Sequence, residues 1–377
     1  MWWSSVRGWL AALTDPFVRG RRRVRVRRPG RGPMRVVYED VIVHETVSPQ
    51  ARVLQRLSRL VFKPLLRVTP LSERTIVRLR QLDRSSTRGR PSPLLTHTML
   101  DLGGVPAESM ASRDGPRSQM TILYLHGGAF IAGGLASHRR IGERLAMLTG
   151  ATLVSADYVQ LPEGTVADSV HDAITAYEAL LARVEHPEAV VVAGDSAGGY
   201  LAMKVAELAT RRGLARPAAI VAFSPLLSLD PERDDKPVTR IVKVRDAYLP
   251  VRRVPQIRRM WLPEGALIEG ETSPLLAADA IDSPTFLVAV EDELLRPEVE
   301  AMALLLAERG VTVETHLWRG QVHAFAVLAE TLPESRAALQ LAAEFALTAV
   351  GAQDTPRTTD PDAHVERIDG EIVPEAS

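Results

Sequence analysis

The sequence contains no cysteine, and aromatic residues make up only 5% of its 377 positions. The absence of cysteine excludes a disulfide framework, a thiol nucleophile, a zinc–thiolate site and an iron–sulfur cluster. No run of 18 or more uncharged apolar residues is present, so no segment has the pattern of a membrane-spanning helix. The 46% apolar content is typical of a soluble globular protein, and the length admits two domains or one large domain with insertions.

The chain also lacks an excess of charge of either sign, because 46 basic residues balance 46 acidic ones. This balance argues against a protein that is basic throughout and coats nucleic acid. The charges are nevertheless unevenly distributed. Residues 1–35 carry ten arginines and one acid, a net charge of +9, whereas residues 351–377 carry seven acids and two arginines, a net charge of −5. We expect the acidic tail, which is poor in apolar residues, to be disordered.

Apolar runs and helical patterns alternate through the middle of the chain. The runs are continuous and rich in Val, Ile and Leu, which is typical of parallel strands covered on both faces. They fall at Thr121–Leu125, Thr152–Ala156, Val190–Ala193, Ala219–Phe223, Phe286–Val290 and Val311–Leu317. With two antiparallel edge strands, near Thr96–Leu102 and Val105–Ala111, the pattern predicts an α/β fold with a mostly parallel eight-stranded sheet and helices on both faces.

Two stretches interrupt this alternation. Residues 48–82 have helical spacing of Leu, Val and Phe with an interruption at Pro64, and residues 226–271 form a charged insertion too long for an ordinary loop. We expect both to form a helical cap. The predicted organisation is an extension at 1–45, a cap at 46–95 and 225–272, a catalytic domain at 96–224 and 273–350, and the tail at 351–377.

The strongest local motif is Gly194-Asp195-Ser196-Ala197-Gly198-Gly199, placed between an apolar strand and a helical pattern. This is the G-x-S-x-G nucleophile elbow in the strand–turn–helix context that it requires. The turn forces Ser196 into a strained conformation, and side chains at positions 194 and 198 would clash. The motif predicts that Ser196 is a catalytic nucleophile.

A second motif, His126-Gly127-Gly128-Ala129-Phe130, follows the strand at Thr121–Leu125. Acyl transfer requires backbone N–H groups directed at the developing oxyanion, and glycines allow the backbone to approach the substrate. We expect the donors to be the N–H groups of Gly127, Gly128 and Ala197, with His126, Asp195, Gly194 and Gly198 in supporting positions.

The order of catalytic residues in such folds is serine, acid and histidine. Three histidines follow Ser196, and of these His323 lies in a loop after the last strand, where a base belongs; His316 lies in a strand and His364 in the tail. The acid belongs at Glu291-Asp292-Glu293, directly after the strand Phe286–Val290. The pattern favours Asp292 but leaves all three carboxylates open.

These residues resemble the hormone-sensitive-lipase-like branch of α/β-hydrolases, the bacterial family IV carboxylesterases, over about Ser48 to Val350. The matching motifs are the HGG box, Asp157-Tyr158 through Pro162-Glu163, the GDSAGG elbow, Ser273-Pro274, Asp292 with Leu294, and His323. The resemblance implies Ser196 as nucleophile, His323 as base and Asp292 as orienting acid, because Asp292 fits the family's Asp-x-Leu register. Ala129 departs from the family pattern, which has a third glycine there.

The resemblance implies a serine carboxylesterase that hydrolyses short- to medium-chain acyl esters and needs no metal or other cofactor. A longer-chain lipase, an amidase of the same fold, and a catalytically silent homologue that binds a small hydrophobic ligand remain alternatives. The sequence does not define the oligomeric state, although a dimer is plausible.

The N-terminal extension lies outside the resemblance. Trp2, Val6, Trp9, Leu10 and Leu13 share one helical face, followed by the arginine cluster, which is typical of a helix lying on an anionic membrane. Packing of this helix on the cap, or a disordered start, is an equal alternative. The segment does not resemble a secretory signal, because its apolar run is short and its charge follows rather than precedes it. We therefore expect a cytoplasmic protein, peripheral at the membrane through residues 1–35, with no nucleic-acid partner.

Overall fold

The computed structural model describes residues 18–22, 41–84, 91–229 and 245–353. Most of the basic head, including its expected amphipathic helix, lies outside the described residues, as do the acidic tail from residue 354 and cap residues 230–244.

A single ten-stranded sheet forms the centre of the protein, in the order β1-β2-β10-β9-β8-β7-β5-β6-β4-β3. The strands are β1 (Val18–Arg22), β2 (Val41–His44), β3 (Leu95–Leu102), β4 (Val105–Ser112), β5 (Thr121–Leu125), β6 (Thr152–Ala156), β7 (Val190–Asp195), β8 (Ala219–Phe223), β9 (Thr285–Val290) and β10 (Val313–Trp318). The pairs from β2 to β6 along this order are parallel, and β1, β4 and β3 run antiparallel to their neighbours. The doubly wound α/β fold expected from the sequence is confirmed.

The strand count is ten rather than the predicted eight. Strand β2 pairs with β10 in parallel, and β1 pairs with β2, so both lie beside the expected eight strands. Both come from residues 1–45, which we predicted to be an extension separate from the catalytic domain. Val41 and Val43 of β2 are buried in the core. A four-residue strand is too short to give a distinct periodicity, which explains why the pattern missed it.

Helices cover both faces of the sheet. They are α1 (Pro49–Leu57), α2 (Lys63–Val68), α3 (Glu73–Arg84), α4 (Leu135–Thr149), α5 (Val166–Leu181), α6 (Ala197–Arg212), α7 (Val254–Trp261), α8 (Arg296–Glu308) and α9 (Pro333–Gln353). A π-helical turn at Ser58–Phe62 joins α1 to α2, and 3₁₀ turns occur at Pro187–Ala189, Val251–Arg253, Pro274–Leu276, Ala278–Ala280 and Phe325–Leu328. Every side chain of β5, β7, β8 and β9 is buried, which explains their unbroken apolar runs.

Helices α1 to α3 and α7 come from the two stretches expected to form a cap, and the two stretches contact each other. Lys63 donates a hydrogen bond to the carbonyl of Asp246, Arg59 to that of Arg245 at 2.7 Å, and Arg253 to that of Thr69 at 2.6 Å. Pro64 lies just after the π turn, and the helical run continues through it. In the described residues, no helix is long and apolar enough to cross a membrane.

Candidate active site

Ser196 lies in the sharp turn between β7 and α6. Its backbone has φ +50° and ψ −116°, a conformation that L-residues adopt only under strain. The Ser196 N–H donates to the carbonyl of Phe223 at 2.9 Å, and its carbonyl accepts from Leu226 at 2.9 Å, so the neighbouring strand holds the strained turn. The turn places the side chain at the carboxyl edge of the parallel strands.

Close backbone contact explains the glycine at position 198. A Cβ atom built on Gly198 would lie 1.9 Å from the carbonyl oxygen of Leu125, and one on Gly194 would lie 2.4 Å from the carbonyl oxygen of Gly198. Real Cβ atoms do not approach oxygen so closely, so both positions need glycine.

His323 links Ser196 to a buried carboxylate. Its Nε2 lies 2.9 Å from Ser196 Oγ, and its Nδ1 lies 2.9 Å from Glu293 Oε2. A carboxylate can only accept here, so Nδ1 carries the proton and Nε2 is left to accept from the serine hydroxyl. The three side chains follow β7, β9 and β10, and parallel strands bring their carboxyl ends to one edge.

The carboxylate beside His323 is therefore Glu293 and not Asp292, which corrects the sequence prediction. The Glu293 N–H donates to the carbonyl of Val290 at 3.2 Å, and its Oε1 accepts from the Val290 N–H at 2.9 Å. This turn directs Glu293 inward, where it is 1% exposed. Asp292 points outward, with Oδ1 3.9 Å from a nitrogen of Arg245.

Electrostatics favour this arrangement. Burial alone would lower the pKa of His323, but the hydrogen bond and negative charge of Glu293 outweigh it, and the pKa is raised above the usual 6.5. The Asp292 pKa is raised by burial and by the charge of Glu291.

The loop after β5 changes the expected set of oxyanion donors. The Gly127 N–H, which we predicted to be a donor to substrate, instead donates to Asp195 Oδ1 at 2.9 Å. Among the described residues, the N–H groups of Gly128, Ala129 and Ala197 have no protein acceptor. Ala129 thus takes the place of Gly127 among the available donors.

The backbone from Gly128 to Phe130 is left-handed, with φ values of 123°, 58° and 59°. Left-handed φ costs a non-glycine residue about 1–2 kcal/mol, and Ala129 and Phe130 both bear it. Backbone strain of this kind is concentrated at functional sites.

Asp195 and His126 are buried beside this loop and hold it through hydrogen bonds and ring stacking. The Asp195 carboxylate accepts from the Tyr124 hydroxyl at 2.7 Å as well as from Gly127, and His138 Nε2 lies 3.5 Å away. Burial raises the pKa of Asp195, but the charge and hydrogen bond of His138 and the other donors bring it below its usual value. His126 stacks on Tyr158, and its burial lowers its pKa to about 3, so it is neutral at physiological pH. Neither side chain touches Ser196.

Two cap residues that the motifs did not identify contact the site. The indole N–H of Trp261, at the end of α7, donates to the carbonyl of Ala129 at 2.7 Å, and its ring meets Phe130 edge-on. Asp246 accepts from the N–H of Leu294 at 2.8 Å, directly after Glu293. The cap insertion is therefore hydrogen-bonded both to the oxyanion loop and to the acid loop. No local sequence signal marked either residue, because both contacts cross long intervals of chain.

Comparison with known proteins agrees with the geometry. A family model described as alpha/beta hydrolase fold matches residues 122–327. The chain belongs to this α/β-hydrolase family, in its hormone-sensitive-lipase-like branch of carboxylesterases. It is accordingly a hydrolase that acts on ester bonds.

Similar proteins include two from Mycobacterium tuberculosis. The carboxylesterase/phospholipase LipF is 31% identical over 79% of this chain and 81% of its own, and the esterase LipU is 34% identical over 66% of this chain and 83% of its own. The crystal structure of an esterase from the bacterial hormone-sensitive lipase family matches with a TM-score of 0.69 and 25% identity, over 81% of this chain and all of that one.

Proposed function

We propose that the protein is a serine carboxylesterase that hydrolyses short- to medium-chain acyl esters through an acyl-serine intermediate. The observation that carries this proposal is the position of His323, 2.9 Å from both Ser196 Oγ and the buried carboxylate of Glu293. Nucleophile, base and orienting acid are recognised by this geometry rather than by sequence position.

In the proposed mechanism, Ser196 Oγ attacks the ester carbonyl while its proton passes to His323 Nε2. Glu293 holds the imidazole in the required tautomer and stabilises the imidazolium. The N–H groups of Gly128, Ala129 and Ala197 receive the oxyanion of the tetrahedral intermediate, and each such donor contributes about 3–4 kcal/mol to lowering the barrier. His323 then protonates the leaving alcohol, and water hydrolyses the acyl-serine with the same base.

The complete hydrogen-bonded set argues against a silent ligand-binding homologue. Such a homologue needs neither an oriented base nor a strained serine, and the strain at Ser196 is costly without a function to maintain it. A longer-chain lipase or an amidase would use the same residues. The preference for short to medium acyl chains rests on the resemblance to the family IV carboxylesterases.

Activity over a series of p-nitrophenyl esters tests the substrate class. We expect kcat/KM to be highest with acyl groups of about two to eight carbons and to fall at least about tenfold toward palmitate, as the resemblance to short- and medium-chain carboxylesterases implies. The matched p-nitroanilides separate ester from amide hydrolysis. A maximum at palmitate, or faster cleavage of the anilides, would contradict this part of the proposal.

The pH dependence follows from the raised pKa of His323. The base acts only when neutral, so kcat/KM should fall as pH decreases through a pKa above 6.5. Replacing Glu293 by glutamine removes the negative partner that raises this pKa, so the acid limb of the profile should move to lower pH. Asp292→Asn is the matched control and should leave the acid limb in place. An unchanged limb in Glu293→Gln would show that Glu293 does not set the pKa.

Contact of residues 1–35 with an anionic membrane surface is a separate part of the proposal. It is supported by the +9 charge and the spacing of Trp2 and Trp9 in the sequence. Only residues 18–22 of this segment are described.

A further inference from the structure

The outer side of the cap carries an unusual concentration of exposed apolar side chains. Thirteen large apolar residues are exposed in the described chain, and seven of them fall between residues 53 and 68. Six follow one another at helical spacing along α1, the π turn and α2. These six, which we call the cap stripe, are Val53, Leu57, Leu60, Val61, Leu65 and Val68.

The exposure within the cap stripe is large, with Leu60 73% and Val68 72% exposed. A soluble protein seldom leaves a contiguous apolar patch uncovered, and such patches mark interaction surfaces. The opposite side of the same segment is packed inward, since Ala51 and Ser58 are buried. The segment is therefore fixed in the fold, and the stripe is its outer side.

The charge around the cap stripe indicates what it contacts. Arg52, Arg56, Arg59 and Arg67 are exposed on the same segment, and the sequence has no acidic residue between Glu45 and Glu73. Among the described residues, none of these four arginines forms an ion pair with a carboxylate. Apolar side chains flanked by arginines that have no carboxylate partner are the pattern of an interfacial helix on anionic lipid.

Charge also disfavours the other possible occupants. A second copy packed through the same surface would bring four arginines against four arginines. The basic head would be repelled in the same way. The acidic tail is complementary in charge but poor in large apolar residues, so it offers little to cover six of them.

The inner side of the segment leads to the active site. Lys63, buried between the two parts of the cap, donates to the carbonyl of Asp246. The Asp246 carboxylate in turn accepts from Leu294, the residue after Glu293. The cap stripe thus lies on the outside of the element whose inside is hydrogen-bonded toward the catalytic acid.

We propose that the cap stripe docks the enzyme on an anionic phospholipid surface, with the leucines and valines inserted at the headgroup level and the arginines paired with lipid phosphates. This surface is separate from residues 1–35 and does not depend on the serine mechanism. Docking brings the cap, and the active site beneath it, to the place where acyl esters partition.

Co-sedimentation of the full chain with vesicles tests the proposal. The probes are vesicles of phosphatidylcholine mixed with phosphatidylglycerol and vesicles of phosphatidylcholine alone. We expect binding to the anionic vesicles that weakens with added salt, and Leu60→Ser/Leu65→Ser should reduce the partition coefficient at least about tenfold. The matched control, Leu94→Ser/Leu267→Ser, removes two leucines that are 66% and 88% exposed outside the stripe and should change binding less than about twofold.

Further variants test whether anionic lipid is what contacts the cap stripe. Arg52→Gln/Arg56→Gln should weaken binding to anionic vesicles and leave the weaker binding to neutral vesicles unchanged. Ser196→Ala should bind like the wild type, which separates docking from catalysis. Far-UV circular dichroism checks that each variant is folded, and all the exposed positions lie outside the core.

Four results would overturn the proposal. They are unchanged binding of Leu60→Ser/Leu65→Ser, binding abolished by Trp2→Ser/Trp9→Ser with no effect of the stripe variant, binding that appears only after residues 354–377 are removed, and a dimer that the stripe variant dissociates. The second result would assign the membrane contact to the head. The third would show that the acidic tail covers the stripe, and the fourth that a second copy covers it.

Discussion

Replacement of Ser196 by alanine is expected to lower kcat for p-nitrophenyl acetate by a factor on the order of 10⁵–10⁶. The variant loses the atom that forms the acyl-enzyme, whereas the oxyanion donors and the His323–Glu293 pair stay in place. Those remaining groups should leave a residual rate above the uncatalysed one, because donors and binding alone typically retain about 10³–10⁴-fold acceleration. The measurement is the steady-state rate with purified protein, compared with buffer.

The strained turn makes this variant a fair test. Alanine differs from serine by one oxygen and meets the same backbone conformation at φ +50°, so the fold and its cost should be unchanged. A control is Ser283→Ala, which removes another buried, hydrogen-bonded serine hydroxyl. Ser283 precedes β9 and so lies at the amino-terminal ends of the parallel strands, away from Ser196. It should keep activity within about twofold, although the lost hydrogen bond lowers stability by about 1 kcal/mol.

Covalent labelling adds a readout that does not depend on turnover. A fluorophosphonate should phosphonylate Ser196 Oγ with loss of fluoride, and mass spectrometry of the labelled peptide locates the site. Wild type and Ser283→Ala should be labelled and Ser196→Ala should not. Labelling at another serine, or substantial ester hydrolysis by Ser196→Ala, would show that the nucleophile has been misassigned.

The parts of this enzyme that sequence predicts well are those governed by local physics. Five of the six parallel strands at the centre are mainly apolar runs, and each of the six begins and ends within two residues of its predicted bounds. The elbow is equally local, because the strand, the sharp turn and the helix follow one another within the consecutive residues 190–212. Such patterns carry their structural cause in a few consecutive residues.

The structure differs from the sequence prediction in the carboxylate beside His323, because that choice depends on the direction of side chains at the end of a strand. Three adjacent carboxylates are equivalent as a sequence, and only the hydrogen bonds between Glu293 and Val290 decide which one turns inward. The family register favoured Asp292, whereas the carboxylate that lies 2.9 Å from His323 is that of Glu293. Glutamate is one methylene longer than aspartate, which lets position 293 reach the imidazole from one residue further along the turn.

Sequence patterns also failed to identify which backbone N–H groups of the loop after β5 are free to bind an oxyanion. The glycines at 127 and 128 both suggested donors, but the Gly127 N–H is taken by Asp195, which lies 68 positions later in the chain on the neighbouring strand β7. Ala129 stands where the family pattern has a third glycine. The left-handed conformation is kept there despite the side chain, and the carbonyl of Ala129 is held by Trp261 from the cap. No local pattern encodes a contact between residues 132 positions apart.

Exchange of Glu293 for glutamine is the second change with a large expected effect, a decrease in kcat on the order of 10³–10⁴. Glutamine keeps the size of the side chain and one acceptor, but it carries no charge to stabilise the imidazolium. Its amide also permits the wrong tautomer, in which Nε2 of His323 is protonated and cannot accept from Ser196. The effect should appear in kcat with little change in KM, because the lost interaction strengthens only as charge develops on His323.

Asp292→Asn is the matched control because it makes the same chemical change one residue earlier. Asp292 is partly exposed and lies 3.9 Å from Arg245, so loss of its charge should alter kcat by less than about threefold. The two variants together decide between the register that the family suggests and the geometry of this chain. A large loss in Asp292→Asn with a small one in Glu293→Gln would restore Asp292 as the acid and reject the assignment of Glu293.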